Sequence, residues 1–173
     1  MKPAACVLLA LCCAAAVLAQ APPTLAPATE AEAFRGKVRE VIDRHLGKPY
    51  GWGCTGIKRF DCSGFVWRVM ADSGVLIKRT TARKLFMCLP EVPEEERWRF
   101  GNLVFFDDLQ HCGIVSGRGA FYHSSQTEGT HLSTLGPFWQ PKLCGFRAMP
   151  AAAEAAAQNA SVLAIPTPAS PSP

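Results

Sequence analysis

The apolar residues of this chain change their spacing part-way along the sequence. Up to about residue 87 they recur every three or four positions, which is typical of helices with one buried face. From residue 100 onward they form short runs separated by glycine and polar residues, which indicate strands. Helices followed by strands predict the α+β fold class, with N-terminal helices packed on a small, mostly antiparallel β-sheet.

Three helices are predicted, over residues 29–46, 62–72 and 82–87. Thr29 and Glu32 have the spacing of a capping box, in which each side chain bonds to the other residue's backbone N–H, so the first helix is expected to start there. Gly47 and Pro49 end that helix, and Gly74 ends the second. Strands are predicted over residues 102–106, 111–115, 120–123, 130–134 and 144–149.

Both ends of the chain have compositions that do not build a folded core. Lys2 precedes an apolar run ending in small residues, which predicts a cleavable signal peptide over residues 1–19, with an uncleaved anchor as the alternative. Residues 20–28 are predicted to be a linker, and residues 151–173 a disordered tail rich in Ala, Pro and Ser. This leaves one domain, residues 29–150, in a periplasmic or secreted protein.

The charge distribution does not favour a nucleic-acid partner. The chain has a formal net charge of +4, and its basic residues are scattered instead of clustering with aromatic residues. The spacings Cys-x-x-Cys and His-x-x-x-His do not occur in the sequence, so we predict no metal. The glycine-rich residues 50–56 lack the pattern of a dinucleotide site, and no cofactor is predicted.

The number of cysteines bears on the redox chemistry of the chain. Five lie beyond the predicted signal peptide: Cys54, Cys62, Cys88, Cys112 and Cys144. An odd number in an exported protein leaves at least one free thiol or an intermolecular bridge. With Cys62 free, the other four allow three pairings, of which we expect Cys54–Cys88 and Cys112–Cys144. The alternative is four separate thiols buried as small apolar groups.

Cys62 stands at the predicted start of the second helix, where the helix dipole and free N–H groups lower the pKa of a thiol. His111 and His123 lie on the two strands of a predicted hairpin. If their side chains point the same way, one can orient the other beside the thiol, as in a nucleophile–base–orienter arrangement. The alternative for Cys62 is a buried structural cysteine. His45 and His131 are expected to be surface histidines.

Several motifs, taken in order, resemble the NlpC-type cell-wall peptidases, a branch of the papain-like cysteine hydrolases. They are Leu-Gly-Lys-Pro-Tyr-Gly-Trp-Gly at 46–53, Phe-Asp-Cys-Ser-Gly-Phe-Val at 60–66, Gly-Asn-Leu-Val-Phe-Phe at 101–106, His-Cys-Gly-Ile-Val at 111–115 and Phe-Tyr-His-Ser at 121–124. The resemblance implies a papain-like fold, with Cys62 as nucleophile, His111 as base and later acid, and His123 as orienter.

The same resemblance implies a set of substrate-binding residues. Tyr50 borders the oxyanion site, and Asp61 is placed to bind a free amino group of the substrate. Ser63 and Arg79 line the same groove. The chain departs from the family pattern at Asn102, at Cys112, where valine is usual after the histidine, and at Lys84, which we expect to alter the groove.

The function implied by the resemblance is an exported, monomeric cysteine endopeptidase. Its substrate would be peptidoglycan stem peptides, cut between D-glutamate and the diamino acid. One alternative is an amidase or acyl hydrolase on the same scaffold, acting as an effector or toxin. Another is a catalytically idle wall-binding domain, although such a domain has no need of a cysteine and two histidines in this pattern.

Overall fold

The computed structural model describes residues 26–150. Its helices are α1 (Ala26–His45), α2 (Cys62–Asp72) and α3 (Ala82–Cys88), with short 3-10 turns at Glu94–Glu96 and Gln140–Lys142. Its strands are β1 (Leu103–Phe106), β2 (His111–Gly117), β3 (Ala120–Ser125), β4 (Gly129–Thr134) and β5 (Leu143–Arg147). The predicted signal peptide and tail lie outside the described residues.

The strands form one five-stranded sheet in the order β4-β3-β2-β1-β5, and every neighbouring pair is antiparallel. The predicted α+β class, with helices first and an antiparallel sheet after them, is confirmed. The last strand ends at Arg147, two residues before the predicted end. Strand β2 lies at the centre of the sheet, and its first residue, His111, is paired with Phe106 of β1.

Both faces of the sheet are covered by apolar side chains. Helices α1 and α2 pack on one face through a core that includes Val41, Ile42, Phe65, Phe105 and Ile114. The other face carries a smaller cluster of Val104, Phe106, Val115, Phe121 and Phe146. A central strand buried on both faces has no polar alternation, which explains the unbroken apolar run of β1.

Helix α1 begins earlier than the sequence predicted. It starts at Ala26, so Thr29 lies within the helix and the predicted capping box is wrong. Pro27 explains the difference, because proline has a helical φ and no N–H, and both suit the first turn. The predicted end is confirmed by Gly47, whose φ is +72°. No helix of the described chain is long and apolar enough to cross a membrane.

Helix α2 starts and ends where the sequence predicted. Asp61 is its N-cap residue, and the carboxylate accepts a hydrogen bond of 2.5 Å from the backbone N–H of Gly64. A Cβ atom on Gly64 would collide with the carbonyl oxygen of Cys54. The missing side chain therefore lets the loop before α2 pack directly on its first turn.

The described cysteines are all free thiols, so neither predicted disulfide is formed. Cys112 lies in β2 and Cys144 in β5, and β1 runs between these strands. Two strand spacings separate them by about 10 Å, beyond the ~7 Å that a disulfide can span between Cα atoms. Cys54 packs against the start of α2, whereas Cys88 ends α3 beside β5. Sheet order, which the cysteine count does not reveal, makes the Cys112–Cys144 pairing wrong.

The contact between Gly64 and the Cys54 carbonyl predicts that Gly64→Ala destabilises the domain. We expect a loss of about 1–3 kcal/mol in the free energy of unfolding, typical of forcing extra atoms into a packed site. Chemical denaturation measures the loss. The control is Gly56→Ala, because a Cβ there meets nothing within 4 Å. Equal stability of the two variants would contradict the packing argument.

Candidate active site

A cleft of about 1090 Å³ opens where the first turn of α2 faces the start of β2 and the ends of β3 and β4. All seven residues predicted from the sequence line it: Tyr50, Asp61, Cys62, Ser63, Arg79, His111 and His123. The structure therefore brings the predicted nucleophile, base, orienter and substrate-binding residues to one place.

Cys62 is the first residue of α2, and only 9% of it is exposed. Its Sγ lies 3.6 Å from the carbonyl oxygen of Gln110. The pKa of this thiol is lowered to about 5, first by a hydrogen bond from the Cys112 thiol and then by the hydrogen bond and charge of His111. Burial and the charge of Asp61 oppose the shift, but they do not cancel it.

Cys112 is fully buried, and its pKa is raised well above the ordinary value by its hydrogen bond to Cys62 and by burial. The pKa values of the two thiols are thus shifted in opposite directions, downward for Cys62 and upward for Cys112. In the sequence, Cys112 stood out only as a departure from the family pattern. In the fold it is a buried thiol that lowers the pKa of the predicted nucleophile.

His111 and His123 point to the same side of the sheet, as the hairpin predicted. The Nε2 atom of His111 lies 2.8 Å from the Nδ1 atom of His123. Burial, followed by the charges of His111 and His131, lowers the pKa of His123 to about 2. His123 is therefore neutral at any physiological pH, so it can orient His111 by a hydrogen bond without adding a charge.

Trp139 is a site residue that the sequence analysis missed. Its ring stacks on the imidazole of His111, with centroids 5.1 Å apart and planes 22° apart. It also contacts His123 edge-on at 5.1 Å. The Trp139 ring thus limits rotation of the His111 imidazole by packing on its face, while His123 bonds to one of its ring nitrogens. Trp139 lies between β4 and β5 in an irregular segment, where no periodicity predicts the direction of its side chain.

His131 and His45 are not the surface histidines predicted from the sequence. His131 lies on β4, directly across from His123, and its Nε2 atom is 3.1 Å from Ser133 Oγ. Ser133 Oγ in turn lies 2.9 Å from His123 Nε2. The sequence contained a signal for this contact: His131 and Ser133 lie two residues apart on a predicted strand, which places both side chains on one face. His45 is buried away from the cleft and bonds to Asp72 at 3.0 Å.

Asp61, Ser63 and Arg79 form a connected polar group at one side of the cleft. Both carboxylate oxygens of Asp61 accept hydrogen bonds of 2.8 Å from Arg79 Nη2. The Ser63 hydroxyl donates to Asp61 Oδ1 at 3.1 Å and receives a bond of 3.0 Å from Arg79 Nη1. Asp61 is thus an N-cap and an ion-pair partner, two roles that the sequence analysis did not assign to it.

Tyr50 lines the cleft near the nucleophile, and its pKa is raised by burial first and then by the charge of Cys62. Lys84 does not line the cleft, contrary to the expectation that it alters the groove. Its neighbour Arg83 does, and donates a bond of 2.6 Å to the carbonyl oxygen of Asp108. Within residues 26–150, no group of three or more His, Cys, Asp or Glu side chains is placed to hold a metal ion.

A model of the NlpC/P60 family matches residues 47–148, which include every residue that lines the cleft. The chain belongs to the NlpC/P60 family. The resemblance inferred from the sequence motifs is therefore confirmed, and the cleft is the one in which this NlpC/P60 domain carries its cysteine and histidines.

Relatives of the NlpC/P60 domain include a probable endopeptidase p60 of Listeria seeligeri, 37% identical over 106 residues, 60% of this chain and 20% of that protein. A probable peptidoglycan endopeptidase LytE of Bacillus subtilis is 30% identical over 105 residues, 58% of this chain and 30% of that protein. The chain thus matches less than a third of either relative's length.

The fold is also found in a solved structure from Staphylococcus aureus, described as similar to lipoprotein of the NLP/P60 family. The two superpose with a TM-score of 0.62 and 25% sequence identity, covering 69% of this chain and 42% of that one. The papain-like arrangement expected from the motifs agrees with this likeness.

The effect of the Cys112 thiol on Cys62 predicts that Cys112→Val raises the pKa of Cys62, because Cys112 is the largest cause of its low pKa. Each unit of rise cuts the thiolate fraction below pH 5 about tenfold. Alkylation of Cys62, followed by peptide mass spectrometry across pH, measures the shift. The control is Cys144→Val, which alters an exposed thiol on β5 outside the cleft. A midpoint that stays near pH 5 in Cys112→Val would contradict the assigned role.

Proposed function

We propose that this chain is an exported cysteine endopeptidase that hydrolyses peptidoglycan stem peptides. The observation that carries the proposal is a thiol with a pKa of about 5 at a helix start, beside a hydrogen-bonded pair of histidines in an open cleft. Membership of the NlpC/P60 family and relatives described as probable endopeptidases support the same reaction class.

In this mechanism, Cys62 attacks the carbonyl carbon of the scissile amide as a thiolate, and its proton resides on His111. The C–N bond breaks as His111 gives that proton to the leaving amine. Water then releases the acyl group, with His111 taking a proton from the water and returning it to the thiol. His123 stays neutral throughout, because its pKa is about 2.

The first turn of α2 supplies groups that suit the developing oxyanion. Asp61 caps the N–H of Gly64, and the N–H of Phe65 bonds to the Asp61 carbonyl. Helix geometry leaves the N–H groups of Cys62 and Ser63 without partners inside the helix. Both residues line the cleft, where free N–H groups at a helix start favour negative charge on the carbonyl oxygen.

The polar group of Asp61, Ser63 and Arg79 is the proposed subsite for the substrate's free amino end. Asp61 Oδ2 bonds only to Arg79 among the hydrogen bonds found in residues 26–150, so it retains capacity for a second donor. A substrate ammonium group would add to the existing ion pair in a partly closed cleft. This arrangement favours the bond between D-glutamate and the diamino acid near the free end of the stem peptide.

An extracytoplasmic location follows from the proposed substrate, because stem peptides lie in the cell wall. The predicted signal peptide agrees with that location. A wall-binding domain without activity is disfavoured by the ionised thiol, since binding requires no low pKa. An amidase acting on a different bond would use the same nucleophile, so the products of digestion separate it from an endopeptidase.

Replacement of the nucleophile provides the direct test. Cys62→Ala is expected to fold normally and to lose cleavage by at least about 10³-fold, because no other cysteine of residues 26–150 lines the cleft. Defined muropeptides are digested and their products weighed by mass spectrometry. Wild-type protein should release fragments cut after D-glutamate.

The control for this test is Cys88→Ala, which removes an exposed thiol outside the cleft and should leave cleavage unchanged. Full activity of Cys62→Ala would overturn the mechanism. Wild-type products cut at another amide would replace the endopeptidase with the amidase, and intact stem peptides would contradict both.

A further inference from the structure

A line of hydrogen bonds continues behind the two histidines, through residues that the proposed mechanism does not use. His123 Nε2 lies 2.9 Å from Ser133 Oγ, and Ser133 Oγ lies 3.1 Å from His131 Nε2. The line ends at the backbone, where His131 Nδ1 is 3.0 Å from the carbonyl oxygen of Gly129. Each imidazole nitrogen and the hydroxyl in this line can donate or accept a hydrogen bond, whereas the Gly129 carbonyl oxygen can only accept.

The Gly129 carbonyl has no hydrogen, so it fixes the direction of the whole line. His131 Nδ1 must carry a proton in order to donate to it. A neutral imidazole has one N–H, so His131 Nε2 is left as an acceptor. Glu128 lies 3.9 Å from that nitrogen, beyond hydrogen-bond distance, and the Ser133 hydroxyl is therefore its donor.

The same reasoning carries the direction from Ser133 to the base. Because the Ser133 hydroxyl points its hydrogen at His131, the Ser133 oxygen accepts a hydrogen bond from the Nε2–H of His123. His123 is neutral because its pKa is about 2, so its Nδ1 has no proton and accepts from His111 Nε2–H. His111 is then left with a lone pair on Nδ1, and that is the nitrogen available to take a proton from Cys62.

We propose that Ser133 and His131 are positioning residues that hold His111 in the tautomer with a free Nδ1. This inference rests on the proposed function, in which His111 is the base. When the proton moves from Cys62 Sγ to His111 Nδ1, the imidazolium keeps its Nε2–H on His123, and no other bond in the line has to change.

The opposite direction would disable the base. If Ser133 donated to His123 Nε2, the His123 proton would sit on Nδ1 and point at His111 Nε2. His111 would then carry its own proton on Nδ1, facing a thiol that it could not deprotonate. The Ser133 hydroxyl donates to His131, and this bond decides which of the two directions the whole line of hydrogen bonds takes.

The strand pairing explains how these residues come together. His131 is directly across from His123 between β4 and β3, and Ser133 is across from Phe121, two residues away. Residues 131 and 133 lie on one face of β4 because side chains alternate along a strand. Both side chains also reach the cleft lining, so contact with substrate is the competing role that a test must separate.

The test uses three variants of the full chain. Ser133→Ala removes the hydroxyl, Ser133→Thr restores it, and Thr134→Ala is the control, since it removes an exposed hydroxyl from the neighbouring position of β4. Two quantities are measured: the tautomer of His111, by ¹⁵N NMR of its imidazole with Cys62 replaced by Ala so that no thiol proton resides on it, and kcat and KM on a muropeptide with Cys62 present.

With Cys62 replaced by Ala, we expect His111 to be protonated at Nε2 and to become a mixture of tautomers when Ser133→Ala is added. The loss of one hydrogen bond that biases the two tautomers should lower kcat about tenfold, with KM unchanged. Ser133→Thr should restore both quantities, and Thr134→Ala should change neither. If Ser133→Ala does not fold, His131→Leu serves instead. It removes the nitrogen that accepts the Ser133 hydrogen bond and should give the same mixture of His111 tautomers.

Two results would overturn the inference: an unchanged His111 tautomer in Ser133→Ala, or a rise in KM with kcat intact, which would assign Ser133 to substrate contact. A failure of the proposed function looks different. In that case wild-type protein cleaves no muropeptide, or Cys62→Ala remains active, and the NMR spectra alone decide the direction of the hydrogen bonds.

Discussion

The Asp61 carboxylate is the interaction on which the site depends. It caps α2 through Gly64 and thereby sets the helix start at Cys62. It also holds Arg79 by two hydrogen bonds of 2.8 Å at the side of the cleft. One acidic residue thus places the predicted nucleophile, leaves the helix N–H groups free beside it, and fixes a charged pair next to it. Its negative charge opposes ionisation of Cys62, which the hydrogen bonds of Cys112 and His111 outweigh.

Much of this site could be predicted because its information is local in sequence. The helix that carries Cys62 is predicted from its apolar spacing and from Gly74 after it, and its predicted bounds match the observed ones. The hairpin that joins His111 to His123 follows from two short apolar runs around a glycine turn. Such elements depend on caps, turns and alternation, which single sequences contain.

The contacts that the sequence did not reveal depend on sheet order and on irregular segments. The Cys112–Cys144 pairing failed because β1 lies between their strands. Trp139 reaches His111 from a segment with no periodicity. Ser133 and His131 line up behind His123 only because β4 pairs with β3, which is a property of the assembled sheet. Local patterns thus predict the proposed nucleophile and base, while the residues that contact them from other strands and segments emerge from tertiary packing.

The most direct measurement of the central claim is a pH titration of thiolate absorbance, recorded as the difference between wild-type protein and Cys62→Ala. The account predicts one ionisation near pH 5, present only in the protein that retains Cys62. A titration with no step below about pH 8, where an ordinary thiol ionises, would contradict it. In that case Cys62 would be a buried structural cysteine, and the cleft would lack its nucleophile.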